Sequence, residues 1–141
     1  MSSDLSGSII KQTHYFKVRV YYEDTDAGGV VYYANYLKFL ERARSEAIYS
    51  LDYTNSSLLE TFGVLLIVKS CNIEYKKPAK FEDKLEVISE VQSFTKTSFL
   101  MKQSILRDNE IITDAVVHLV SVDKNGKPSR IPDLLKEKLE N

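Results

Sequence analysis

The chain has 141 residues, and its 19 basic and 20 acidic side chains leave a formal charge of −1. That length points to one domain, and the balance argues against a protein built on a basic nucleic-acid footprint. Hydrophobic residues at 43% and charged residues at 28% are ordinary for a folded soluble domain and argue against disorder as the main state. The single cysteine, Cys71, excludes an internal disulfide and a cysteine-cluster zinc site, and two histidines, His14 and His118, are little material for a metal centre. No apolar run approaches the ~20 residues of a membrane helix, and the polar start lacks a signal peptide's charge-then-apolar order. A reducing cytoplasm is the expected compartment.

Residues 1–12 read as a flexible tail, and 13–141 as a single domain. From His14, the residues Phe16, Val18, Val20 and Tyr22 alternate with polar neighbours, which predicts a half-buried strand. Asp24 to Gly29 is then a run of turn formers. Tyr33, Tyr36, Leu37, Leu40, Ala43, Ala47, Ile48 and Leu51 recur at three and four, which predicts one long helix over 33–51. The polar stretch 52–57 is its expected stop. Four strands follow, over 64–75, 84–94, 97–107 and 110–123, with Asp108-Asn109 as a tight hairpin. Pro132 opens a short helix to Leu139. One long helix and a five-stranded antiparallel sheet make an α+β fold. Such a sheet buries only one helix, so pairing with a second copy is expected.

The unusual segment is 21–36. Asp24 and Asp26 stand in a glycine-containing loop just before the long helix, and no Ser, Thr or Asp stands beside its start to cap it. Its first N–H groups are then available to an anion or a polarised carbonyl. An acid near such donors suits hydrolysis: the acid activates water or attacks, and the donors hold the oxyanion. On pattern alone the same residues read first as an ordinary turn. The segment lacks calcium-loop spacing and a phosphate-loop Gly-Lys-Ser/Thr. No Gly-x-Ser-x-Gly elbow exists for Ser-His-Asp catalysis.

The stretch Val18-Arg19-Val20-Tyr21-Tyr22-Glu23-Asp24-Thr25-Asp26-Ala27-Gly28-Gly29-Val30-Val31-Tyr32-Tyr33-Ala34-Asn35-Tyr36-Leu37, with Glu41-Arg42-Ala43-Arg44-Ser45-Glu46, resembles the YbgC branch of the 4-hydroxybenzoyl-CoA thioesterase family. The resemblance implies a hotdog fold, a five-stranded antiparallel sheet wrapped around one long central helix, over about residues 14–139. It implies hydrolysis of acyl-CoA, or of an acyl group on acyl carrier protein, to free acid and thiol. Asp26, the second Asp of Asp-x-Asp, matches the catalytic aspartate, as nucleophile or general base. The Tyr33 backbone amide matches the oxyanion donor. That branch usually carries His where this chain has Tyr33, and a backbone donor survives the change. Asp24 is expected to shape the loop.

In the same family a basic-Ser-Phe pattern touches coenzyme A, which makes Lys96, Thr97 and Ser98 substrate contacts, serving the neighbour's Asp26 in a dimer. Tyr32, Tyr33, Tyr36 and Phe62 are candidates to line the acyl pocket, and Lys76, Lys77 and Lys80 to attract phosphates. No metal or nucleotide cofactor is implied, coenzyme A being part of the substrate. A homodimer or homotetramer is expected, without nucleic acid or stable membrane insertion. Glu41 or Glu46 is an alternative acid, as in another hotdog branch. Cys71 reads as a small buried apolar group, His118 as a core or sheet-surface residue, and His14 as exposed at the start of the first strand. The competing functions are a non-catalytic acyl-CoA- or acyl-carrier-binding module in lipid or envelope processes and, third, a hydratase.

Overall fold

The computed structural model describes residues 7–10 and 13–140. Its elements are β1 (Ser8–Ile10), β2 (Thr13–Arg19), α1 (Tyr33–Ser50), α2 (Asn55–Phe62), β3 (Leu65–Tyr75), β4 (Lys84–Phe94), β5 (Ser98–Arg107), β6 (Glu110–Val122) and α3 (Asp133–Glu140). The strands form one sheet of six in the order β1-β2-β4-β5-β6-β3, antiparallel throughout. The five expected strands are present. The sixth is the short edge piece β1, paired with Thr13 to Tyr15, so part of the expected tail is a strand. Residues 1–6, 11 and 12 lie outside the described residues.

Asp108 and Asn109 both take positive φ, 50° and 67°, as a primed two-residue hairpin between β5 and β6 requires. Helix α1 buries Tyr36, Phe39, Leu40, Ala43, Ala47 and Ile48, the face that its periodicity marks. Its first half packs with Val20, Leu85, Val87, Ile105, Ile112 and Ala115. Its second half meets a further cluster built from Leu58 of α2, Phe99, Met101, Val117 and Leu119 of the sheet, and Leu135 and Leu139 of α3. Lys138 of α3 donates to the Leu51 carbonyl at the end of α1 (2.9 Å), where the helix dipole favours a cation.

Helix α2 replaces part of the polar stretch expected to be loop. The Thr54 hydroxyl accepts from the Ser57 amide (3.0 Å) and the Ser57 hydroxyl accepts from the Thr54 amide (2.8 Å). This reciprocal cap uses Ser in place of the usual Glu or Gln, so the pattern was easy to miss. Gly63, at φ 70°, ends the helix in the left-handed region.

One polar side chain sits at the centre of the core. Gln103 of β5 is fully buried, accepts from Arg44 (3.0 Å), and donates to the Leu40 carbonyl (3.0 Å) and the Ser89 hydroxyl (2.9 Å). Burial lowers the Arg44 pKa. Gln103→Leu strips Arg44 and the Leu40 carbonyl of a partner and is expected to cost about 2 kcal/mol in urea denaturation.

Candidate active site

The alternation through Tyr22 overshoots the strand. β2 ends at Arg19, and Tyr22–Asp24 is a single 3-10 turn. The cause is Asp24, whose carboxylate accepts from the Tyr21 amide (2.9 Å) and whose carbonyl accepts from the Tyr32 amide (3.0 Å). Asp24 is 5% exposed and shapes its own loop. Asn35 of the first helical turn donates to the Glu23 carbonyl (3.2 Å), tying α1 to that loop.

Asp26 is exposed at the next turn. Its amide donates to Val30 O (2.9 Å), its carbonyl accepts from Gly29 (3.0 Å), and its Oδ1 accepts from the Gly28 amide (2.8 Å). Gly29 closes the turn at φ 79°, a conformation that costs other residues energy. Among the described residues Oδ2 has no partner, and the carboxylate forms no ion pair. The loop is pinned to the β3–β4 connection: Val31 N–H donates to Ala79 O (2.8 Å), and Phe81 N–H to Gly29 O (3.2 Å).

Helix α1 starts uncapped. Tyr32, the N-cap residue, supplies no side-chain bond, and no acid occupies the first turn. The Tyr33 and Ala34 amides have no acceptor among the described residues. A cavity of about 370 Å³ is lined by Asp26, Val30, Val31, Tyr32, Tyr33, Tyr36, Tyr75, Lys76, Lys77 and Pro78. The Tyr33 ring lies 4.7 Å from that of Tyr75, which is 5.4 Å from that of Tyr36. The Tyr75 hydroxyl donates to the Tyr33 carbonyl (3.4 Å).

Tyr36 is buried, and its hydroxyl accepts from the Ala79 amide (2.9 Å). Burial pushes its phenol pKa up, so Tyr36 stays neutral. Tyr36→Phe leaves the Ala79 N–H without a partner and is expected to cost about 1–2 kcal/mol, read as a lowered thermal midpoint.

Six residues singled out from the sequence thus meet at one cavity: Asp26, Tyr32, Tyr33, Tyr36, Lys76 and Lys77. Lys96, Thr97 and Ser98 do not line it. Lys96 and Thr97 lie in the β4–β5 turn and Ser98 opens β5; the Lys96 carbonyl accepts from Ile131 (2.9 Å) and the Thr97 carbonyl from Ser121 (2.7 Å). Ser98 is buried, with its hydroxyl 2.7 Å from that of Thr95. Phe62 packs on Tyr53 in the second core cluster instead of the cavity wall. His14 is buried, against expectation. Cys71 is half-buried between the two core clusters, and burial pushes its thiol up, as suits an inert group. Neither Glu41 nor Glu46 lines the Asp26 cavity.

Lys76 and Lys77 stand at the cavity and Lys80 does not; Lys77 is paired with Glu110. Tyr75 went unrecognised in the sequence. The only sign was its place at the last residue of a strand, shortly before Pro78. Among the described residues no group of His, Cys, Asp and Glu could hold a metal ion, and no helix is long and apolar enough to cross a membrane.

An antiparallel sheet packed on one long helix is a hotdog fold, and Asp26 and the uncapped start of that helix share a cavity in it. The chain belongs to the thioesterase-like superfamily, whose family model matches residues 20–139. It is 43% identical over 122 residues to the acyl-CoA thioesterase YbgC of Haemophilus influenzae, covering 86% of this chain and 90% of that protein. It is 41% identical over 117 residues to the acyl-CoA thioester hydrolase YbgC of Escherichia coli O6:H1, covering 82% and 87%. The crystal structure of a probable thioesterase from Bartonella henselae superposes with a TM-score of 0.82 at 33% identity, over 85% of this chain and 99% of that one. The expected hotdog fold and the kinship with YbgC thioesterases are borne out, and the chain is a thioester hydrolase.

Proposed function

We propose that the chain hydrolyses acyl-CoA thioesters at Asp26, with the Tyr33 amide as oxyanion donor. The observation that carries this reading is that Asp26, whose carboxylate has an unpaired oxygen, and Tyr33, whose amide is free at an uncapped helix start, line one cavity. Asp26 takes a proton from water as the water oxygen attacks the thioester carbon. The carbonyl oxygen becomes an oxyanion held by the Tyr33 amide and the positive end of α1, equivalent to roughly half a charge. Collapse breaks the C–S bond and releases the coenzyme A thiolate, which takes up a proton, and the acid leaves. In the alternative route Asp26 attacks directly, and water then hydrolyses the mixed anhydride. Both routes use only thioester and water, so the reading includes no cofactor. A thiolate leaves readily, which suits a cavity lined by no histidine.

Acyl carrier protein presents the same pantetheine thioester and is a second carrier within this reading. A homodimer or homotetramer also belongs to it. Tyr33 and Leu37 of α1 and Ile67 and Val68 of edge strand β3 are exposed apolar groups that a second copy would cover. Lys96, Thr97 and Ser98 would then reach coenzyme A from the neighbouring chain. A cytoplasmic setting fits this substrate.

The test is thiol release from a panel of short, long and aromatic acyl-CoAs. Turnover of at least one class is expected. Tight binding of acyl-CoA with no thiol released from any would overturn the hydrolytic reading in favour of an acyl-binding module.

A further inference from the structure

The geometry points to Arg107 as a positioning residue for the Asp26 cavity, an inference that rests on the proposed reading of that site. Arg107 closes β5 and does not line the cavity. Its Nη1 donates to Asp83 Oδ2 (2.7 Å) and to the Pro78 carbonyl (3.1 Å), and its Nη2 to Glu110 Oε1 (3.3 Å). Asp83 Oδ2 also accepts from the Lys80 amide (2.8 Å), and Glu110 also holds Lys77. One guanidinium therefore ties Pro78 and Asp83, in the middle and at the end of the β3–β4 connection, to Glu110 at the start of β6, beside backbone bonds from Lys76 and Lys77 to Ile112 and between Val20 and residues 82–83.

That connection has no regular structure of its own, yet it is the wall against which the Asp26 loop rests. Ala79 O takes the Val31 amide, Gly29 O takes the Phe81 amide, and the Ala79 amide meets the Tyr36 hydroxyl. Arg107 and Asp83 are each 23% exposed at the side chain, so their bond is better shielded than a surface ion pair. The chain of contacts runs from Arg107 through residues 78–83 to residues 29–31, and so to the turn that aims Asp26 and the start of α1. Reaction rate is far more sensitive to such aim than substrate binding is: a misplacement of about 1 Å costs up to ~100-fold.

The experiment compares Arg107→Met, Arg107→Lys and Asp83→Asn with wild type, using acyl-CoA turnover and amide hydrogen exchange by NMR. Arg107→Met is expected to lower kcat about 10-fold with KM within about 3-fold. Arg107→Lys, which keeps a cation but not the fork, is expected to recover part of that loss. The Val31 and Phe81 amides should exchange at least about 10-fold faster in Arg107→Met, while Val117 in the middle of β6 keeps its wild-type rate. Unchanged exchange at Val31 and Phe81 overturns the clamp; faster exchange with kcat within 2-fold of wild type overturns its role in positioning. Should Arg107→Met fail to fold, Asp83→Asn weakens the same bond by taking the charge from its acceptor, and is judged by the same two readouts. The exchange readout needs no turnover, so it judges the clamp separately from Asp26, whose own role is tested by Asp26→Asn.

Discussion

Asp26→Asn is expected to lower acyl-CoA thiol release by at least about 100-fold, the usual scale for removing a positioned base or nucleophile. The substitution is chosen for what it leaves alone. An Asn side-chain oxygen still accepts from the Gly28 amide, as Asp26 Oδ1 does at 2.8 Å, so the turn keeps its shape. No ion pair is lost, because Asp26 makes none. What goes is the charge on a carboxylate that lines the cavity. Thermal stability close to wild type together with lost turnover assigns the loss to chemistry; wild-type turnover in Asp26→Asn would remove Asp26 from the mechanism. A single turnover in ¹⁸O-water separates the two routes. General-base attack puts the heavy oxygen into the released acid. The anhydride route, with water attacking at Asp26, leaves it on Asp26 in that first cycle.

Phe39→Ala is expected to destabilise the fold by about 3–5 kcal/mol, measured by urea denaturation. Phe39 is fully buried in the first half of α1 and meets the Tyr36 ring edge-on at 6.3 Å. The cavity left behind lies where helix meets sheet, with rigid neighbours on both sides, so collapse recovers little of the loss. Against a typical stability of about 5–15 kcal/mol this is a large fraction, and it falls next to the residue that anchors Ala79. A loss below about 1 kcal/mol would show that the helix–sheet seam repacks around the gap.

The long helix was legible because its buried residues recur every three or four positions from Tyr36 to Ile48. The strands from β3 to β6 were legible because alternation and turn residues bound each one. Where alternation was taken too far, at Tyr22, a single carboxylate overrode it: Asp24 takes the Tyr21 amide and turns the chain. The α2 cap was missed because two hydroxyls do what a glutamate more often does. At the site, Asp26 and Tyr33 were legible because they lie close together in the chain, in a glycine loop that runs into an uncapped helix. Tyr75 was not, because it stands 42 residues from Tyr33, whose carbonyl its hydroxyl reaches.

The amino-acid order alone therefore determined the kinds of element, the turn over Asp24 to Gly29, and an open helix start. All of these depend on neighbours within a few residues. Tertiary structure alone decided that Ser8–Ile10 pairs with β2, that Lys96 to Ser98 stand apart from the cavity within one chain, that Gln103 anchors a polar knot in the core, and that Arg107 braces the wall behind the Asp26 loop. Those outcomes depend on strand register and on which distant segments share a face, and local periodicity carries no information about either.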